Sequence, residues 1–188
     1  ESFGTDRFDE LYCSYENDPR VPSTRVKAQE LILNLLKERA ETGRIYIMNI
    51  DHCNEHSSFK DKVSMSNICQ EITLPTEPIN HIDGDGEIAL CILSAINVGK
   101  IKNLDELEEL CDLSVRALDE LIDYQGYPVE AARISTLARR SIGVGFIGLA
   151  HYLAKNNVKY DDKEAWKLVH DLSESFQYNL LKASNKIA

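Results

Sequence analysis

Ser66-Asn67-Ile68-Cys69-Gln70-Glu71-Ile72 is the stretch around which this chain is organised. In extended backbone, the period-two alternation of a strand turns Asn67, Cys69 and Glu71 to one side. An amide that can hydrogen-bond, a thiol and a carboxylate that can take a proton would then face one small volume. Such a set combines substrate positioning, a sulfur-centred reactive atom and a general base. The competing reading is a strand edge that carries an incidental cysteine, because three residues at spacing two make a short pattern with a high false-positive rate.

Outward from this stretch the sequence reads on as Ser66-Asn-Ile-Cys-Gln-Glu-Ile-Thr-Leu-Pro-Thr-Glu-Pro78 and then Gly86-Glu-Ile-Ala-Leu-Cys-Ile-Leu-Ser-Ala-Ile-Asn97. Upstream stands Thr42-Gly-Arg-Ile-Tyr-Ile-Met-Asn-Ile-Asp-His-Cys-Asn54. Downstream stand Asn103-Leu-Asp-Glu-Leu-Glu-Glu-Leu110, Arg139-Arg-Ser-Ile-Gly-Val-Gly145 and Leu180-Leu-Lys-Ala-Ser-Asn185. In this colinear order the chain closely resembles the large, catalytic subunit of aerobic (class I) ribonucleotide reductase over nearly its whole length. That extent makes the resemblance far more specific than any single motif.

The resemblance implies an α/β fold: part of a ten-stranded α/β barrel of two five-stranded halves, incomplete in this chain. Residues 1–188 would form a partial catalytic barrel domain, with residues 64–80 as its finger-loop region. The family's N-terminal cone for regulatory ATP, its upstream redox cysteine, later phosphate-binding loops, radical-relaying tyrosines and C-terminal thiols have no counterpart here. The chain is therefore expected to be a middle piece of a longer polypeptide, or one product of a split gene.

For the chemistry, the resemblance implies that Cys69 becomes a thiyl radical and abstracts the 3′ hydrogen of a ribonucleoside diphosphate, which is reduced to the deoxyribonucleoside diphosphate. Glu71 would take the 3′-hydroxyl proton as general base. Asn67 would hold the sugar hydroxyls in register, and the backbone around Ile68 and Gln70 would line the same pocket. Cys91 matches one member of the redox-active pair that forms a disulfide as the substrate is reduced. Its partner lies upstream of this chain, and neither Cys13 nor Cys53 falls at that position. The chain itself is expected to bind no metal and no cofactor. The radical would come from a metal cofactor of diiron–tyrosyl type in a small subunit, and reducing equivalents from thioredoxin or glutaredoxin. ATP and deoxynucleoside triphosphate effectors would act on absent or neighbouring segments. The other expected partners are the remaining segments of the large subunit and a second large subunit, and the isolated chain is expected to be inactive.

Composition bounds these readings. The chain has 188 residues, 43% of them hydrophobic, which suits a globular domain. No run of about 18 apolar residues occurs, and Glu1-Ser-Phe-Gly4 does not open a signal peptide, so no membrane association and a cytoplasmic location are expected. A net charge of −10 argues against binding along a nucleic-acid backbone, which needs clustered Lys and Arg. Five cysteines, at 13, 53, 69, 91 and 111, make an odd and irregular set that fits a reducing compartment better than a disulfide framework.

Along the chain, residues 8–15 read as short and mixed, and Pro19 and Pro22 break the chain before the first clear helix. Ser23 can cap that helix; Ala28, Leu31, Ile32, Leu35 and Leu36 form its stripe, and Gly43 stops it. Residues 44–50 read as a buried strand. His52, Cys53 and His56, with Cys69 not far along the chain, offer a possible metal set, but with no second Cys or His pair to complete four ligands the reading is a hydrogen-bonded loop after that strand. Residues 57–64 read as a connecting loop, and Asp83-Gly84-Asp85-Gly86 suits tight turns. Cys91 lies in the most apolar run, where a free cysteine is ordinarily a small core residue. Asn103 to Tyr124 is a helix with an Asn103/Glu106 capping pair, and Cys111 lies on its apolar stripe as a structural residue. A shorter helix follows over 128–137. The last helix starts near Asp161 or Asp162, with Asp161 and Glu164 spaced as a capping box, and its stripe runs from Ala165 to Ile187.

Gly143-Val-Gly-Phe-Ile-Gly148 spells G-x-G-x-x-G, so an NAD-binding oxidoreductase is one alternative function. The preceding residues are not the apolar strand which that motif needs, and the resemblance makes the stretch a barrel strand feeding a helix. A non-catalytic assembly protein using its amphipathic helices is the other alternative.

Overall fold

A computed structural model describes residues 6–81 and 84–188, which divide into two compact units meeting at Thr76 and Glu77. The Asp83 of the expected glycine turn falls outside the described residues.

The first unit holds three helices, α1 (Asp6–Glu16), α2 (Ala28–Thr42) and α3 (Ile50–Glu55), none of which contains a buried residue. Helix α1 replaces the mixed segment expected at 8–15; Phe8, Leu11, Tyr12 and Tyr15 stand at helical spacing, and two acids occupy its first turn. Helix α2 starts later than Ser23 allows, with Lys27 at its N-cap, but ends where expected. Gly43 takes φ +67, and its N–H closes the last turn on the Arg39 carbonyl at 2.9 Å.

The strand expected at 44–50 does not form: these residues are irregular and mostly exposed, and Ile50 already starts α3. Apolar character alone does not make a strand; backbone N–H and C=O groups need a neighbouring ladder, which is absent here among the described residues. His52 and Cys53 accordingly lie on a short helix, with His56 at its C-cap, and not on a loop after a strand. The loop that follows is tied back by Asn54. Its side chain donates to the Val63 carbonyl and accepts from the Val63 N–H, both at 2.8 Å, and Val63 is buried.

The second unit is an α/β layer. Strand β1 (Leu93–Asn97) pairs in parallel with β2 (Gly143–Ile147), Leu93 opposite Gly143 and Asn97 opposite Ile147. Parallel neighbours require a long crossover, supplied by α4 (Glu106–Tyr124) and α5 (Glu130–Arg139). Helices α6 (Leu149–Lys155) and α7 (Lys163–Ile187) follow. Helix α4 has Asp105 at its N-cap, and Asn103 accepts the Asp105 N–H at 3.1 Å instead of pairing with Glu106. Helix α7 has Asp162, not Asp161, at its N-cap.

One sheet face is covered. Ile96 and Val98 pack with Leu107 and Cys111 of α4 and with Leu172 and Phe176 of α7, and Phe146 meets Phe176 edge-on at 5.4 Å between ring centres. A second cluster joins Ile92 to Leu118 and Ile122. On the other face, Leu93, Ala95 and Asn97 of β1 and Gly145 and Ile147 of β2 remain exposed. This is the expected α/β class, with the barrel incomplete in this chain.

The glycine triplet is not a dinucleotide turn. Gly143 and Gly145 lie inside β2, and only Gly148, at φ +82, stands at the strand-to-helix junction. A pyrophosphate cradle needs its glycines in the turn after the strand, so the NAD reading fails on placement. The glycines serve close packing: a Cβ on Gly143 would stand 2.7 Å from Leu93 Cδ2, and one on Gly148 would stand 2.5 Å from Asn97 Oδ1.

Candidate functional site

The stretch 66–72 is a closed turn and not an extended strand. The Gln70 N–H donates to the Asn67 carbonyl at 3.0 Å, the span of a β-turn, and Gln70 adopts left-handed backbone with φ 64. The Asn67 side chain closes the loop again, its Oδ1 accepting the Ile72 N–H at 3.0 Å, while the Ser66 hydroxyl donates to the Asn67 carbonyl at 3.1 Å. The alternation expected for Asn67, Cys69 and Glu71 therefore does not apply. Asn67 is favoured at the first position of such a turn because its short amide bonds to nearby backbone. That local signal competed with the strand reading and prevailed.

The turn presents its apex to solvent. Ile68 is 88% exposed, Cys69 and Glu71 are exposed, and Asn67 and Gln70 are half-buried. With Oδ1 engaged by the loop, the Asn67 Nδ2 makes no hydrogen bond among the described residues and is available as a donor. One short loop thus carries an accessible thiol, an accessible carboxylate and an oriented amide donor.

Cys91 belongs to the second unit, two residues before β1, and it is exposed instead of lying in the core as its apolar surroundings suggested. Its neighbours explain this: Leu90 and Ile92 turn into the cluster with Leu118 and Ile122, so alternation turns Cys91 outward. Cys111 is the structural cysteine, fully buried on α4, and burial pushes its thiol up to about 11.

Among the described residues, no three His, Cys, Asp or Glu side chains stand close enough to hold a metal ion. A groove between α4 and α7 is lined by Glu108, Asp112, Asn179, Lys182 and Lys186, and contains none of the candidate site residues Asn67, Ile68, Cys69, Gln70, Glu71 and Cys91. Sequence reading missed the polar clusters made by residues far apart in the chain, such as Arg140 with Asp119 and Asp123. Glu87 and Arg139, 52 positions apart, form a bidentate ion pair at 2.9 and 2.7 Å, a separation no local pattern encodes.

A parallel β-pair joined through helices, with one face covered by α4 and α7, is the class of an α/β barrel segment, and the first unit carries a hydrogen-bonded loop with an accessible thiol. The chain belongs to the ribonucleotide reductase family: the family model for the ribonucleotide reductase barrel domain matches residues 1–188. It is 59% identical over 187 residues to the ribonucleoside-diphosphate reductase subunit alpha of Haemophilus influenzae, covering 97% of this chain and 25% of that protein. The corresponding Escherichia coli subunit 1 alpha is 53% identical over the same shares. Among solved structures, the class Id ribonucleotide reductase alpha subunit of Actinobacillus ureae matches with a TM-score of 0.61 and 25% identity, over 96% of this chain and 34% of that one. The chain thus spans about a quarter of the length of the curated relatives it matches.

Proposed function

We propose that residues 1–188 are the central part of a ribonucleotide reductase catalytic barrel, with the finger loop at 64–80, and that they carry its radical-bearing centre. The observation that supports this most directly is the closed turn that projects Cys69 into solvent in a chain matched along its whole length by the barrel-domain model.

In this reading Cys69 is oxidised to a thiyl radical by electron transfer to a small subunit, whose metal cofactor, of diiron–tyrosyl type, supplies the oxidising equivalent. The thiyl takes the 3′ hydrogen of a ribonucleoside diphosphate. Glu71 accepts the 3′-hydroxyl proton, which eases loss of the 2′-hydroxyl as water. Asn67 donates its free Nδ2–H to the sugar while its Oδ1 holds the loop, so one amide both shapes the turn and registers the substrate. The backbone of Ile68 and Gln70 lines the same pocket. Cys91 and a cysteine outside this chain each give up a hydrogen atom and join as a disulfide. Together they supply the two electrons that turn the 2′ C–O bond into C–H plus water. Thioredoxin or glutaredoxin then reduces the disulfide by thiol exchange. The remaining large-subunit segments, a second large subunit, and ATP or deoxynucleoside triphosphate effectors bound elsewhere complete the assembly.

The test is ribonucleoside diphosphate reduction by the complete large subunit containing this segment, with its small subunit, comparing wild type with Cys69→Ser. The expected result is no turnover in a variant that still assembles. Equal activity in the two proteins would make Cys69 structural and remove the proposal.

A further inference from the structure

We propose that the Arg139–Glu87 ion pair is a positioning device for Cys91, holding its thiol in place for the two-electron reduction step. The inference rests on the reading of Cys91 given above. The Arg139 Nε donates to Glu87 Oε1 at 2.9 Å and Nη2 donates to Oε2 at 2.7 Å. The pair is largely removed from solvent, with side chains only 22% and 10% exposed, so it escapes the screening that weakens surface pairs.

Its geometry concerns a short piece of backbone. Glu87 Oε2 also accepts the Glu77 N–H at 2.9 Å, and the Glu87 N–H returns to the Glu77 carbonyl at 3.0 Å. The Ile88 N–H donates to the Ala131 carbonyl in α5 at 3.1 Å, and the Ile92 carbonyl accepts the Gly143 N–H at 2.9 Å. Residues 87–92 are thus pinned at both ends to one stretch of chain, α5 and the start of β2. Arg139 is the last residue of α5 and stands four positions before Gly143. Cys91 stands next to the far end of the pinned piece, its direction set by Leu90 and Ile92 packing inward.

A thiol that forms and releases a disulfide at each turnover must return to one place, because a displacement of about 1 Å can cost on the order of a hundredfold in rate. Four backbone or carboxylate hydrogen bonds would remain without the guanidinium. The bidentate pair adds two charge-assisted hydrogen bonds that lock Glu87, and with it the entry to the segment. Arg139 and Glu87 are therefore positioning residues and touch no reacting atom in this account.

The experiment uses the full-length large subunit with its small subunit and two readouts that separate the two cysteines. Release of tritium from 3′-tritiated substrate reports hydrogen abstraction by Cys69. Deoxynucleotide formed per site in one turnover, with no external reductant, reports the Cys91 step. For Glu87→Gln, which keeps the side-chain shape, and for Arg139→Gln, the expected result is tritium release within about twofold of wild type and product per site reduced roughly tenfold or more. Arg139→Lys, which keeps charge but not the fork, should recover part of the product. Parallel loss of both readouts, loss of assembly after the isosteric Glu87→Gln change, or unchanged product would each overturn the inference. Cys91→Ser is the control for the underlying reading: if it leaves single-turnover product intact, the role of Cys91 fails, whatever the ion pair does.

Discussion

Cys69 and Cys111 have the same side chain in opposite surroundings, and the difference is measurable. Cys69 is exposed at the apex of a turn, whereas Cys111 is fully buried against Phe176, its thiol facing the Phe176 carbonyl at 4.0 Å. The thiolate is the nucleophile, so alkylation of the folded chain should modify Cys69 readily and leave Cys111 intact until unfolding; mass mapping of the labelled peptides checks this. Burial raises the Cys111 thiol from an ordinary 9.0 to about 11. Between those values the unfolded chain has lost a proton that the folded chain keeps, so this group makes stability fall as pH rises across that window. Comparing wild type with Cys111→Ala in denaturant melts from neutral pH upward should show a steeper alkaline loss in wild type, and parallel curves would refute it. If Glu71 is the general base proposed above, Glu71→Gln in the assembled enzyme should lower turnover by about 10²–10⁴-fold. Kinetics with the small subunit in excess would measure it. At this scale the sequence singled out the candidate side chains and misjudged their geometry. N-x-C-x-E named the residues, but strand alternation was the wrong frame, because Asn67 could close a turn with both its backbone and its side chain.

Helices were legible where their apolar faces found a partner. In α4, Leu107, Cys111, Val115, Leu118 and Ile122 recur at helical spacing and are all buried, and in α7 Leu172, Phe176 and Ala183 do the same. Truncating the contact between these helices, by Leu107→Ala or Leu172→Ala, should cost about 2–5 kcal/mol of this unit's stability, since both side chains are fully buried. Urea denaturation followed through α7 would show it. The strand at 44–50 was misread because an apolar run says nothing about whether another strand is available, and pairing is a long-range property. The run ending at Asn97 became a strand because β2 lies beside it. At the β2–α6 junction, Gly148 combines a left-handed φ of +82 with no room for a side chain. Gly148→Ala should therefore destabilise by roughly 1–3 kcal/mol or more. The same substitution at Gly126, where a Cβ meets nothing within 4 Å, should not. Melting both variants side by side separates backbone strain from simple loss of a glycine.

The two units of the chain differ in what they bury, and this bears on how the 188 residues behave as a molecule. The unit that starts at Glu77 has two buried clusters under β1 and β2, with α4 and α7 packed on the larger. In the other unit no residue of α1, α2 or α3 is buried, and Leu31, Ile32 and Leu36 of α2 are each about half exposed despite their regular spacing. Sequence periodicity announces an apolar stripe, but it does not supply the surface that covers it. A 15-residue helix without tertiary burial is marginal in water, because packing of the apolar face supplies most helical stability. Native-state hydrogen exchange on this chain should therefore find the slowest amides in α4 and α7 and much faster exchange across α2. Equal protection in α2 and α4 would contradict the argument, since no residue of α2 is buried to account for it. The same measurement on the full-length subunit extends the test. If the stripe of α2 is covered by the remaining segments of the barrel, its exchange should slow there by orders of magnitude while that of α4 changes little. Exchange in α2 that stays fast in the longer protein would mean that the stripe faces solvent in the complete subunit as well.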